Sequence, residues 1–464
     1  MDLRARLDSP MLRYGMCLLL AGCVGIFVYS LFSQPISLTP DSSSYLETAE
    51  IYMASGRLFW EPSRTPGYPF LILVLVTASG VGSQSALVPL VVFVQMGLYL
   101  FLLGSTVWCF WRAAGLLAAV LAALLFACDH FNQNWITSIA PEAVSRIFVI
   151  AAINFLCMAI HRRSYRCLML SVALVGMVPL FRPSDIVFPL ATIAGMIVYA
   201  VWTRPKLRRI VTVLALLLGP AGLLIGSNGV MHGLYNMDTR SAPLLAARAL
   251  ALANPENLVE AGIDRRIIDR VARPMYEAYS RVGPVVVPFV NDLGREDGTF
   301  MTFCPFERHA VVGRLRDADP ERFRHDDPYR LAVALQVIGR SAFLADIPGF
   351  MSCTRHVIWD YVRLPLLRPL RDISIKNKSL ILPVIVPFVS AGLVFWFRRR
   401  SPISVSIIVA CLFAAAGYWV LCGLMANYVV RIAMHPWLPL ALASLLAVAA
   451  NGQRAARRSV LPAE

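Results

Sequence analysis

Apolar residues run in long blocks separated by short, basic connectors, and many of the blocks approach the length that a membrane demands. A helix needs about 20 mostly apolar residues to cross the hydrocarbon layer. About ten stretches come near it, at 12–33, 86–111, 113–129, 140–160, 167–181, 185–203, 210–229, 379–397, 402–424 and 432–450. Only helices and closed barrels satisfy their backbone in lipid, and blocks of this length select helices, so the pattern predicts an all-α polytopic membrane protein of about ten spans. The first block has a basic flank, as a signal peptide has, yet it is close to a full span and no small-residue cleavage site follows it. A retained helix is expected there.

Two polar intervals break the rhythm. Within 31–85, Tyr45, Leu46, Ala49, Tyr52 and Met53 recur at helical spacing. Thr39 and Pro40 supply a cap and a first-turn proline and Gly56 a stop, which predicts an amphipathic helix lying on the membrane surface. Arg64-Thr65-Pro66-Gly67-Tyr68-Pro69 follows, and then the run Phe70 to Val76, too short to span comfortably. The second interval, 230–378, mixes helical pattern at Leu244–Ala253, Arg265–Tyr279 and Tyr329–Leu344 with turn-rich pieces such as Asn291-Asp292-Leu293-Gly294. The expected organisation is a transmembrane core over 1–229 whose first outer loop is 31–85, an extracytoplasmic loop subdomain over 230–378, and C-terminal transmembrane helices over 379–464.

Composition agrees, and charge adds a direction. The 464 residues are 58% hydrophobic and 15% charged with a mean hydropathy of +0.63, outside the range of soluble domains. A net charge of +15 would point a soluble protein toward nucleic acid. Here the basic residues sit between spans: Arg4, Arg6 and Arg13, then Arg112, then Arg162, Arg163 and Arg166, then Arg204, Lys206, Arg208 and Arg209, then Arg398 to Arg400, and finally Arg454, Arg457 and Arg458. In a ten-span arrangement all fall on one side, which is then cytoplasmic and holds both termini. The expected surroundings are membrane lipids, with no nucleic acid, and a bacterial inner membrane. Cys304 and Cys353 are the only cysteines of the long outer interval, and an oxidising compartment would allow them to pair.

Ionisable residues at the span ends are the candidate chemistry, because a charge in hydrocarbon is costly. Glu142 and Arg146 open the fourth span, Asp185 opens the sixth just after Arg182, and Arg431 and His435 open the tenth. Spacing four places Glu142 with Arg146, and Arg431 with His435, on one helix face. Each has an ordinary reading: a surface salt bridge for Glu142 and Arg146, a helix cap for Asp185, a capped interfacial histidine for His435, and head-group snorkelling for Arg182 and Arg431. All fall on one rim, whereas the span middles are apolar with Gln95 the main exception. A transporter would want polar groups near the midplane instead. No zinc spacing, phosphate-binding loop, dinucleotide fingerprint or nucleophile elbow is present.

Four features together carry a resemblance: Asp41-Ser-Ser-Ser-Tyr45; the Arg64 to Pro69 run; Pro141-Glu142 with Arg182-Pro183; and Arg431 with Pro436 and Pro439. In these the chain resembles the GT-C superfamily of glycosyltransferases, specifically the polyprenyl-phosphate-sugar dependent branch of protein mannosyltransferases and lipid A aminoarabinose transferases. The likeness covers the first 200 residues and the last 40, and the long outer interval resembles nothing named. It implies a GT-C-like helical bundle that moves a hexosyl or pentosyl group from a polyprenyl-phosphate sugar donor to a lipid, glycan or protein acceptor outside the cytoplasm, inverting, with Asp41 as base. Arg64, Arg182 and Arg431 then become candidates for the donor phosphate, with Tyr45, Glu142, Arg146, Asp185 and His435 in support. Many relatives have a second acid directly after the first, where this chain has Ser42. A divalent metal would want more carboxylate than that, so no cofactor is firmly implied. The ordinary reading of Asp41 is a first-turn acid favoured by the helix dipole. The alternatives are a lipid-linked polysaccharide ligase or polymerase, and a membrane transporter or flippase.

Overall fold

The computed structural model describes residues 10–38, 41–56, 64–129, 135–239, 241–282, 285–290, 296–303, 308–323, 327–352, 402–425 and 437–460, with single positions at 389 and 392. The first half is a run of helices: α1 Pro10–Phe32, α2 Ser42–Ser55, α3 Gly67–Ser79, α4 Gln84–Ala114, α5 Leu116–Cys128, α6 Pro141–Arg162, α7 Tyr165–Met177, α8 Val187–Thr203 and α9 Leu207–His232. Among the described residues, five helices are long and apolar enough to cross a membrane: α1, α4, α6, α8 with the short turn before it (Pro183–Thr203), and α9. α5, α7 and the apolar parts of α15 (Pro402–Met425) and α16 (Trp437–Val460), the C-terminal helices, are shorter. The span expected at 379–397 lies outside the described residues. The protein is an integral membrane protein.

Large side chains from several spans interlock in the bundle core. Phe27 of α1, Tyr99 of α4 and Phe126 of α5 meet in one aromatic cluster, with ring centroids 5.6–6.3 Å apart and two of the three contacts edge-to-face. Elsewhere the helices approach so closely that only glycine fits. A Cβ on Gly176 of α7 would lie 1.9 Å from the Leu216 carbonyl oxygen of α9, and one on Gly195 of α8 would lie 2.6 Å from the Ser406 carbonyl oxygen of α15. Small residues at such crossings give membrane helices the contact area that lipid-excluded packing depends on. α6 and α8 both end in arginines in the left-handed conformation, Arg163 and Arg204, whose amides bond Ala159 and Ala200. Two of the basic connectors therefore lie at the end of the bundle opposite the starts of α6 and α8.

Helix α2 departs from expectation at both its start and its surroundings. Its N-cap is Asp41, two residues after the expected cap Thr39, which with Pro40 lies outside the described residues. Gly56 closes it with φ 68°, its amide on the Tyr52 carbonyl. The apolar face is covered by protein: Tyr45, Leu46 and Ala49 are buried, and Tyr52 and Met53 pack on the same core. This face was expected on the membrane surface, but α3 and the bundle satisfy it instead.

The segment after α9 has a second hydrophobic core. α10 Ser241–Leu252 and α14 Pro328–Ala345 form its main pair, joined by α11 Pro255–Glu260, α12 Arg273–Val282 and α13 Arg308–Ala318 around Leu250, Val271, Leu315 and Leu335. It also carries a hairpin, β1 Val285–Val290 against β2 Glu296–Phe303, antiparallel with Val285 opposite Phe303. The fold class is the all-α one expected, with this short hairpin as an addition to it.

The packing at Gly176 is open to a direct check. Gly176→Ala should lower the thermal midpoint of the purified protein, costing about 1–3 kcal/mol because the Leu216 carbonyl must move. Gly222→Ala on α9, where nothing lies within 4 Å of the added carbon, should not.

Candidate active site

The site grows from the junction of α2 and α3. As N-cap of α2, Asp41 makes no side-chain cap bond, so its carboxylate is turned to another task. Arg64 Nη2 donates to Asp41 Oδ1 at 2.9 Å, Nε to Ser44 Oγ at 2.7 Å and Nη1 to the Tyr45 hydroxyl at 3.1 Å. The guanidinium also lies 4.4 Å from the centre of the Tyr45 ring, a cation–π contact. Ser44 in turn donates to the Asp41 carbonyl at 2.7 Å. The Arg64 side chain is 9% exposed and that of Asp41 24%, so the acid is the more accessible partner.

Local chemistry fixes Arg64 in this place. Pro66 starts the turn into α3, and Gly67 sits so close to the preceding corner that a Cβ would lie 2.7 Å from the Leu180 carbonyl oxygen. Thr65 donates its hydroxyl to the Phe181 carbonyl at 3.0 Å. The 64–67 turn is thus pinned to the 180–182 turn. That contact brings the chain bearing Arg64 beside the chain bearing Arg182.

Arg182 lies between two carboxylates, 3.9 Å from Glu142 and 3.7 Å from Asp185. Asp185 is fully buried and accepts from Ser145 of α6, with Ser184 at 3.5 Å from its other oxygen. The start of α6 is tied back to α2, because Ser42 donates to the Ile139 carbonyl at 2.9 Å. Glu142 and Arg146, expected as a pair along one helix face, are both buried and take partners elsewhere. Glu142 meets Arg182, while Arg146 bonds Asp129 at 3.0 Å, with the Tyr99 hydroxyl at 3.5 Å.

The structure therefore gathers Asp41, Tyr45, Arg64, Glu142, Arg146, Arg182 and Asp185 at one end of the bundle. Asp129 escaped the sequence reading. Its signal was an acid at the closing residue of an apolar stretch, where a charge needs a partner. Arg431, His435, Cys304 and Cys353 lie outside the described residues. Among the described residues no group of three His, Cys, Asp or Glu is placed to hold a metal ion.

The site is thus a set of acids and arginines gathered at one rim of a helical membrane bundle. Residues 62–226 match the family described as dolichyl-phosphate-mannose-protein mannosyltransferase, a segment that includes Arg64, Asp129, Glu142, Arg146, Arg182 and Asp185 and begins after Asp41. No curated protein sequence matches the chain. Among solved structures the chain is similar to the Archaeoglobus fulgidus oligosaccharyltransferase in its apo form, at 13% identity and a TM-score of 0.47 over 98% of this chain and 53% of that one. It is also similar to ArnT from Cupriavidus metallidurans bound to undecaprenyl phosphate, at 15% identity and a TM-score of 0.34 over 96% of this chain and 79% of that one. The chain thus spans about half the length of the archaeal protein.

The buried pair Asp129–Arg146 should behave as a structural unit. Asp129→Ala takes the carboxylate from a buried guanidinium and should destabilise by about 3–5 kcal/mol in a denaturant titration in detergent. Adding Arg146→Met to it should recover most of the loss, whereas independent sites would add.

Proposed function

We propose that the chain transfers a sugar from a polyprenyl-phosphate-linked donor to a hydroxyl acceptor on the extracytoplasmic side of the membrane, with inversion at the sugar carbon and Asp41 as the general base. The observation that carries this reading is the Asp41 carboxylate, held at 2.9 Å by Arg64 beside the turn that bears Arg182. In the step, the acceptor oxygen forms a bond to the anomeric carbon while the carbon–oxygen bond to the lipid phosphate breaks. The hydroxyl proton goes to the Asp41 carboxylate, and the electron pair of the broken bond leaves with the polyprenyl phosphate. A base for the hydroxyl and fixed positive charge for the leaving phosphate are what this reaction needs.

Arg182 is the leading candidate for the phosphate. Glu142 and Asp185 hold its guanidinium at the rim, and its planar fork suits two phosphate oxygens. Arg64, already engaged by Asp41, Ser44 and Tyr45, serves first to set the carboxylate and second to add positive charge. Arg431 joins the phosphate side through the family resemblance, with His435 in support. The donor's isoprenoid tail would lie along the apolar spans, and the acceptor is a lipid, a glycan or a protein. The arrangement fits a bacterial inner membrane with both termini cytoplasmic, a core over 1–229 and 379–464, and the second hydrophobic core of 230–378 as a subdomain on the outer side.

Three measurements test this. Asp41→Asn keeps the size of the side chain but not its capacity to take the proton, and should lower sugar transfer by roughly 10² to 10⁴ fold with donor binding little changed. Transfer within threefold of wild type would remove Asp41 from the chemistry. Arg182→Lys keeps the charge and loses the fork, and should weaken transfer, whereas a residue serving only as a lipid-facing cation would tolerate the change. A reporter fused after Asp297 should read as extracytoplasmic, and a cytoplasmic signal would put the site on the wrong face.

A further inference from the structure

Gln95 is the polar residue that the apolar middle of a span least explains. It lies three turns into α4, is 1% exposed, and has a hydrogen-bond set that runs in two directions. Its Nε2 donates to the carbonyls of Ile136 and Ser138, both at 3.0 Å. Its Oε1 accepts from the Tyr68 hydroxyl of α3 at 2.8 Å. The amide orientation follows from chemistry, because the two carbonyls can only accept and must face the NH₂ group. Tyr68 must then donate. It is fully buried, and burial, followed by the nearby Tyr45 phenol, pushes its hydroxyl well above the ordinary phenol range, so the donor proton stays in place.

Each direction ends at a part of the site. Tyr68 packs edge-on against Tyr45, with centroids 5.3 Å apart. Tyr45 lies under Arg64 and accepts its hydrogen bond, and Arg64 holds Asp41. In the other direction, the 136–138 turn carries the contacts of the first loop. Ser37 donates its amide to the Thr137 carbonyl at 3.1 Å, the Ser37 and Ser138 hydroxyls are 2.6 Å apart, and Ser42 bonds Ile139, three residues before Glu142. One buried amide thus touches both the chain that sets Asp41 and Arg64 and the chain that sets Glu142.

We infer that Gln95 is a positioning residue, fixing the spacing between the Asp41–Arg64 pair and the Glu142–Arg182–Asp185 cluster without touching substrate. A general base and a phosphate site act together only at a set separation, and misplacement by about 1 Å can cost on the order of 100-fold in rate. The inference deepens the sugar-transfer reading and rests on it for its kinetic consequence. Its structural content does not depend on that reading.

The test uses the full-length protein in detergent, with two variants. Tyr68→Phe removes one hydroxyl and keeps the ring that packs on Tyr45, so it cuts only the α2 side. Gln95→Leu cuts both sides. Backbone amide exchange should rise about tenfold in α2 for both variants, but at Ser37 only for Gln95→Leu. With a labelled polyprenyl-phosphate hexose as donor, kcat should fall about 10- to 100-fold while the donor KM stays within about threefold, since the phosphate contacts are carried by other residues. Unchanged exchange, or unchanged kcat in a folded variant, would overturn the inference. Should Gln95→Leu fail to fold, Tyr68→Phe alone decides by the same two readouts. If the wild type transfers no sugar yet exchange follows the stated pattern, the sugar-transfer reading falls and the brace stands.

Discussion

Charge in a low-dielectric rim must be answered by charge, and the arrangement of this site follows from that requirement. Asp41 meets Arg64, Asp129 meets Arg146, and Glu142 and Asp185 meet Arg182, with six of these seven side chains under 10% exposed. An ionised group left alone in such surroundings would cost several kcal/mol. Each pair therefore specifies which helix ends come together. Asp129–Arg146 joins the end of α5 to α6, and Glu142–Arg182 joins α6 to the corner before α8. The hydroxyls of Ser42, Thr65 and Ser145 fill in between, each on a carbonyl or carboxylate of another element.

How far this was legible in the sequence depended on the range of the interaction. Helices at α1, α4, α6, α8 and α9 came directly from block length, because a span is a one-dimensional feature. Glu142, Arg146, Arg182 and Asp185 stood out because they are ionisable residues at the ends of apolar runs. Their partners did not. Spacing four on α6 pointed Glu142 to Arg146, but tertiary contacts gave each a stronger partner on another element, and no rule of helix spacing contains that information. Asp129 was overlooked for the same reason, since its meaning lies in Arg146, 17 residues on.

Helix α2 shows a different limit. Its apolar arc was read correctly from Tyr45, Leu46, Ala49, Tyr52 and Met53, yet an apolar arc says only that something must cover it. Lipid and protein satisfy it equally well on paper. The decision came from α3, whose short apolar run Phe70 to Val76 sits beside it and supplies the cover. The hairpin of Val285–Val290 and Glu296–Phe303 was missed because its strands are short and stand in a segment with mainly helical periodicity.

The contact between Gly67 and the Leu180 carbonyl sets a further condition on the site. It is a meeting of two main chains, so the offset between the Arg64 and Arg182 segments is a matter of backbone thickness. A single methyl at position 67 alters that offset at once. The residue is a gauge: it carries no chemistry, and its tolerance to substitution should follow volume alone, with every side chain from alanine upward pushing the two segments apart.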